Sequence, residues 1–213
     1  MNRIYFIIGF SAAFISGCST IDVATSRKAN ITKEMNKIIV FPFDIKGANW
    51  GDEFSEAVTH YLFKTGKIEV VERDALKKVL LEQQLSMTGI IDENKAVKVG
   101  RLLGADVIVI GKGTALIKQG KKGEEKNLID TFSLKAISIE TGSVLLTVRK
   151  EPGAAWDWKH RAKYIGSFGL IWDKDDIMSE SSKYDEVARQ IASNILETIK
   201  EIEKKNNPSS GKK

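Results

Sequence analysis

Between residues 37 and 150 the apolar positions switch repeatedly between two spacings, and the switches predict alternating strands and helices. Lys37 to Phe43 (KIIVFPF) is an unbroken apolar, β-branched run that stops near Pro42, as a first strand would. Phe54, Ala57, Val58, Tyr61 and Leu62 then recur at helical spacing and make one face of an amphipathic helix ending near Gly66. Ile68 to Val71 reads as a second strand, followed directly by a helix with Leu76, Val79 and Leu80 inward. Gly89 breaks that pattern. Asp92 is placed to cap a third helix, on which Ala96, Val99 and Leu103 align before Gly104 closes it. Asp106 to Ile110 (DVIVI) is apolar without alternation, the signature of a strand covered on both faces.

Two longer runs follow. Leu128 to Ile139 and Val144 to Lys150 alternate apolar and polar residues about Glu140-Thr141-Gly142-Ser143, which predicts a β-hairpin. A last helix is expected from about Tyr184 to Ile202, with Val187, Ile191, Ile195 and Ile199 in one stripe. The fold class that follows is α/β: a mixed sheet flanked by helices on its faces, with an edge β-hairpin and a long C-terminal helix.

The first residues do not belong to that domain. Met1 to Cys18 has a short positive start at Arg3, an uncharged apolar run from Ile4 to Ile15, and small residues at Ser16 and Gly17 before Cys18. The run is too short to span a bilayer, which takes about 20 residues, and reads as the apolar core of an export signal. Ile15-Ser16-Gly17-Cys18 resembles the lipobox of bacterial lipoproteins, where small side chains admit the signal peptidase and the cysteine sulfur receives diacylglycerol. Residues 1–17 are then a signal peptide. Residues 18–36 are a lipidated cysteine with a flexible tether, since 19–36 are polar and without periodicity. Two or three acyl chains on Cys18, palmitate among them, anchor a protein firmly where one chain holds it marginally. Ser19, in place of an Asp, favours the outer membrane by sorting rules, with the domain facing the periplasm. The domain is expected over residues 37–205, with an aromatic-rich insertion at 151–183 and a disordered tail at 206–213.

Composition adds limits. The chain of 213 residues holds one cysteine, so it has no internal disulfide and no Cys-rich zinc module. Its formal charge of +5 invites a nucleic-acid reading. Arg3 and a lysine-rich stretch at 200–213 carry most of that surplus, leaving about +1 on residues 18–199. Together with export, this argues against nucleic acid as a partner.

No catalytic constellation emerges. Gly111-Lys112-Gly113-Thr114 hints at a phosphate loop but lacks the spacing of that motif, and strand-like sequence surrounds it. His60 and His160 have no partner at metal-ligand spacing. Asp173, Asp175, Asp176 and Glu180 form an acidic cluster without the glycine of an EF-hand loop, and read as a solvated loop. The expectation is a protein that is not an enzyme, with no cofactor, no metal and no small-molecule substrate.

A family resemblance rests on particular residues. Val70-Val71-Glu72-Arg73, then Leu80-Leu81-Glu82, Gly89, Ala96 and Gly100, and finally Leu103-Gly104-Ala105-Asp106 with Ile108-Val109-Ile110-Gly111 resemble the CsgG family of curli production assembly/transport lipoproteins. Ile139 to Leu145 is similar to the hairpin turn that follows in that family. Glu72, Arg73, Gly104 and Asp106 have structural readings: a carboxylate at a helix start, an arginine bridging elements, a left-handed helix end, and a side chain satisfying backbone at a strand entrance. The family's pore-forming members insert two hairpins per subunit into the outer membrane. Here the first insertion point, Leu116 to Asn127, is short, charged and without lipid-facing alternation. The second, residues 151–183, gathers Trp156, Trp158, Tyr164, Phe168 and Trp172, interrupted by charges in its first half.

That segment holds three of the four tryptophans. Its aromatic residues are candidates for contact with a partner or the membrane interface; alternatively the rings cover the sheet. Two functions follow. One is a CsgG-like lipoprotein, a diverged member without the full pore-forming hairpins, that assists secretion or assembly of a surface structure, with a protein partner or as a homo-oligomer. The other is a monomeric periplasmic lipoprotein that binds and regulates an envelope or cell-wall enzyme.

Overall fold

A computed structural model describes residues 21–26, 35–85, 92–119, 125–153, 162, 179–180 and 182–206. Seven strands form one mixed sheet: β1 (Ile21–Thr25), β2 (Lys37–Val40), β3 (Asp44–Lys46), β4 (Glu69–Val70), β5 (Val107–Gln119), β6 (Glu125–Ser138) and β7 (Val144–Lys150). Among the described residues four helices pack on it: α1 (Gly51–Phe63), α2 (Arg73–Glu82), α3 (Glu93–Leu102) and α4 (Tyr184–Asn206). The sheet order is β1-β7-β6-β5-β2-β4, with β3 pairing β5 beyond the end of β2. β2 lies parallel to β4 and β5, whereas β5, β6, β7 and β1 run antiparallel in succession.

The period-two rule divides the core into two layers. Ile38, Val40, Val107 and Val109 face α1 and α4, whose Phe54, Val58, Val187, Ile191 and Ile195 complete that layer. Ile39, Phe41 and Ile108 face α2 and α3, where Leu76, Leu80, Ala96 and Val99 are buried. The helix faces expected from spacing are thus the buried ones. The Asp92 cap is also as expected, its side chain accepting from the backbone N–H of Asn94 and Lys95.

Four expectations change. The stretch read as a polar tether contains β1, which pairs antiparallel with β7 from Ile21↔Lys150 to Thr25↔Leu146. Only Ile21 is deeply buried, so a five-residue edge strand left no apolar run to read. The β6–β7 hairpin forms about its expected turn, but β1 covers its outer side, so β1 is the edge. The first strand is split: Pro42, with no N–H to give, falls between β2 and β3, and β3 resumes against Lys112–Thr114 of β5. Finally, β5 does not stop at Ile110 but runs to Gln119, opposite a β6 that starts at Glu125. Gly111 to Thr114 lies inside β5, which removes the phosphate-loop resemblance.

Candidate functional site

The residues that carry the sequence motifs form joints between elements. Asp106 stands where β5 begins. Its carboxylate accepts from the Lys37 N–H at 3.0 Å, its own N–H donates to Lys37 O at 2.8 Å, and its carbonyl accepts from the Ile139 N–H at 2.9 Å. One residue thereby ties β2, β5 and the end of β6. Arg73 opens α2, donates to the Val40 carbonyl at 3.2 Å and pairs with Asp52 in the first turn of α1. Burial lowers the Arg73 guanidinium below its ordinary value. Glu72 is the residue before the helix, and its side chain makes no capping bond.

The glycines have equally local reasons. Gly104 takes φ +64° after α3, with its N–H on Arg101 O and the Ala105 N–H on Gly100 O, a Schellman closure. At Gly100 an added Cβ would lie 2.5 Å from Ile139 Cδ1 and 2.7 Å from Ile108 Cγ2. Helix α3 packs on the sheet at a distance only glycine allows.

A second cluster lies at the roots of the aromatic-rich segment. In the β5–β6 register Thr114 pairs Thr131 and Ala115 pairs Ile129, so Asp130 is the extra residue of a β-bulge. The Lys150 Nζ donates to the Asp130 carbonyl at 2.8 Å and also to Glu151 O at 3.2 Å and Gly153 O at 2.7 Å. Three carbonyls match the three N–H donors of an ammonium. Lys150 is only 1% exposed, and burial pushes its pKa down to about 8, opposed by the charge of Asp130. On the returning side the Ile129 N–H donates to Ser182 O at 2.7 Å and Leu128 bridges Lys183. Residues 150–153 and 182–183 are therefore held side by side on β6 at Leu128–Asp130.

An aromatic cluster backs these roots. Phe132 lies 5.0 Å from Phe43 and 4.7 Å from Phe54, and Trp50 stacks on Tyr184 at 5.4 Å. Gly111 lies against it, since a Cβ there would be 2.7 Å from both Phe132 Cζ and Phe43 Cδ1. The tryptophan outside the insertion is thus part of the core packing.

The family model for the curli production assembly/transport component CsgG matches residues 19–206. The chain belongs to the CsgG family. Among curated proteins, none matches it. Among solved structures it is similar to the LpoB C-terminal domain from Salmonella enterica, at 16% identity, covering 54% of this chain and 80% of that one, with a TM-score of 0.42. It is also similar to a PelC dodecamer subunit from Paraburkholderia phytofirmans, at 12% identity, 84% and 95% coverage and a TM-score of 0.44. Lipoprotein GNA1162 from Neisseria meningitidis gives 12% identity, 62% and 94% coverage and a TM-score of 0.43.

Within this CsgG-family domain, the expected contact residues Trp156, Trp158, Tyr164, Phe168 and Trp172 lie outside the described residues, as do Cys18 and His160. His60 is described: it is exposed on α1, with its ring edge-on to Tyr61. Among the described residues no group of three His, Cys, Asp or Glu could hold a metal ion, and no helix is long and apolar enough to cross a membrane. Lys150 is the residue that sequence reasoning missed. It ends an alternating strand at a position where the β7 pattern, with Leu146 and Val148 inward, already demands an inward side chain. A lysine at an inward position was the available signal.

Proposed function

We propose that this protein is a non-catalytic envelope lipoprotein of the CsgG family, anchored to the outer membrane through acyl chains on Cys18 and facing the periplasm. It assists the secretion or assembly of a surface structure. The observation that carries this reading is the family match, which starts at residue 19, directly behind the lipobox-like Ile15-Ser16-Gly17-Cys18. The structural roles of Arg73, Gly100, Gly104 and Asp106 support it too, because they use the motif residues for joining elements and leave none aimed at a substrate. The aromatic residues Trp156, Trp158, Tyr164, Phe168 and Trp172 supply the contact with a protein partner, a second copy or the membrane interface.

A second reading is a monomeric lipoprotein that binds and regulates an envelope enzyme. The charged, non-alternating sequence Leu116 to Asn127 favours it, since strands that span a bilayer alternate apolar and polar residues. Light scattering on the lipidated protein in mild detergent separates the two, together with conductance across planar bilayers. A defined oligomer supports the assembly reading. A monomer without conductance, retained after removal of residues 155–172, supports the regulator.

A further inference from the structure

The sheet ends in an open edge at β1, the outermost strand: among the described residues no strand pairs with its far side. The Ser26 N–H donates to Leu145 O at 2.9 Å, which makes Ser26 and Leu145 a bonded pair of the antiparallel ladder. Bonded pairs alternate, so Asp22 and Ala24 turn their backbone groups toward β7, and Val23 and Thr25 turn theirs outward. Ile21 agrees with that phase, because its carbonyl accepts from Asn194 Nδ2 of α4 at 3.5 Å. Val23 and Thr25 thus offer outward N–H and C=O groups in the pattern that an added strand needs. The devices that usually guard an edge are missing here. The strand IDVAT holds no lysine and no proline, and its register with β7 has no bulge.

Beside this edge lies a groove of about 230 Å³ between β1 and α4, lined by Ile21, Val23, Asn194, Glu197, Thr198 and Glu201. Its charge has one sign. Glu197 and Glu201 are exposed, no lining residue is cationic, and neither carboxylate makes an ion pair among the described residues. Thr198 gives its hydroxyl proton to the Asn194 carbonyl at 2.8 Å, so the carboxylates are the charged groups left to recognise a ligand. Four residues of helix rise about 6 Å, close to the roughly 6.8 Å between alternate residues of a strand. Two side chains on one face of an added strand therefore match the spacing of the two glutamates.

We propose that the β1 edge and this groove dock an extended, lysine- or arginine-bearing segment of a protein partner. The segment adds as a further strand on Val23 and Thr25 and sets alternate cationic side chains on Glu197 and Glu201. A second copy of β1 is the poorer occupant, since it would bring the same two glutamates against these two. The surface is separate from the aromatic-rich segment and does not depend on lipidation of Cys18, so its failure leaves that reading untouched.

The probe is an end-blocked heptapeptide of alternating threonine and lysine, added to the purified full chain in mild detergent. On saturation, amide hydrogen exchange at Val23 and Thr25 is expected to slow several-fold. Asp22 and Ala24, already bonded to β7, change little and serve as internal controls. A glutamate-for-lysine peptide is expected not to bind. Glu197→Gln combined with Glu201→Gln, at two exposed positions that leave the fold intact, weakens the lysine peptide several-fold. A lysine peptide N-methylated at the backbone positions that face β1 keeps its charge but cannot donate to the edge, and is expected not to bind. Equal binding by the methylated peptide overturns the proposal, because the contact is then charge alone. Absence of binding at millimolar lysine peptide overturns it too. So do Val23 and Thr25 amides that exchange slowly before peptide is added, which means that this chain's own residues, in a monomer, or a second copy, in a dimer, already cover the edge.

Discussion

Lys150 sets burial against charge. Its side chain is enclosed at the end of β7, and three carbonyls from Asp130, Glu151 and Gly153 receive its protons. Its pKa near 8 in the fold lies below the ordinary 10.5, so between these values the unfolded chain binds more protons than the folded one. Stability from this site therefore rises with pH from about 8 to 10.5 and is flat below. Denaturant unfolding of the wild type and of Lys150→Met across that range checks the sign: the rise is expected in the wild type and absent from the variant. Gly100 offers a test by packing alone. Gly100→Ala puts a methyl among Ile108 and Ile139 atoms at 2.5 to 2.7 Å, and over-packing of this kind costs about 1–3 kcal/mol. Thermal or denaturant unfolding reads that loss directly.

At the scale of elements, periodicity was enough for α1, α2, α3 and α4, whose inward residues are those that share a face in the sequence. The Asp92 cap and the Gly104 closure were also legible, because each needs a particular side chain or none. What escaped is short or non-local. β1 buries one deep anchor, Ile21, and draws its pairing from β7, more than a hundred residues later in the chain, so its own composition says little. The extension of β5 beyond Ile110 is held by its pairing with β6, in a stretch where glycines and polar residues interrupt the apolar ones, so no continuous or alternating hydrophobic pattern reports it. The Asp130 bulge likewise depends on the partner strand. A further local feature needed the backbone: Gln84 closes α2 at φ 55°, with its N–H on Leu81 O and the Leu85 N–H on Leu80 O. Glycine is the residue that takes this conformation without strain. Gln84→Gly is expected to stabilise the protein by about 1 kcal/mol, seen as a raised unfolding midpoint.

The whole molecule has a directional build. The family-motif residues hold α2, α3 and the start of β5 together at one end of the sheet. The opposite end carries the start of β1, the paired roots of the aromatic-rich segment and the last pairs of β5 with β6. The anchor and the aromatic-rich segment proposed to meet a membrane or a partner thus emerge from one end, while the other is occupied by structural joints. That polarity follows from β1 joining the sheet directly behind Cys18, where the sequence had suggested a loose tether. The aromatic residues proposed for contact were legible only as a concentration of rings, since nothing in their spacing fixes an element. In the proposed function Cys18 carries the lipid that holds this domain in the envelope. Intact-mass spectrometry of the protein extracted from membranes tests it most directly. The expected result is a chain beginning at Cys18 with two or three acyl chains added, and a Cys18→Ser variant that is left unprocessed and unacylated. A mature chain with a free Cys18 thiol, or one cleaved elsewhere and released without lipid, would contradict it.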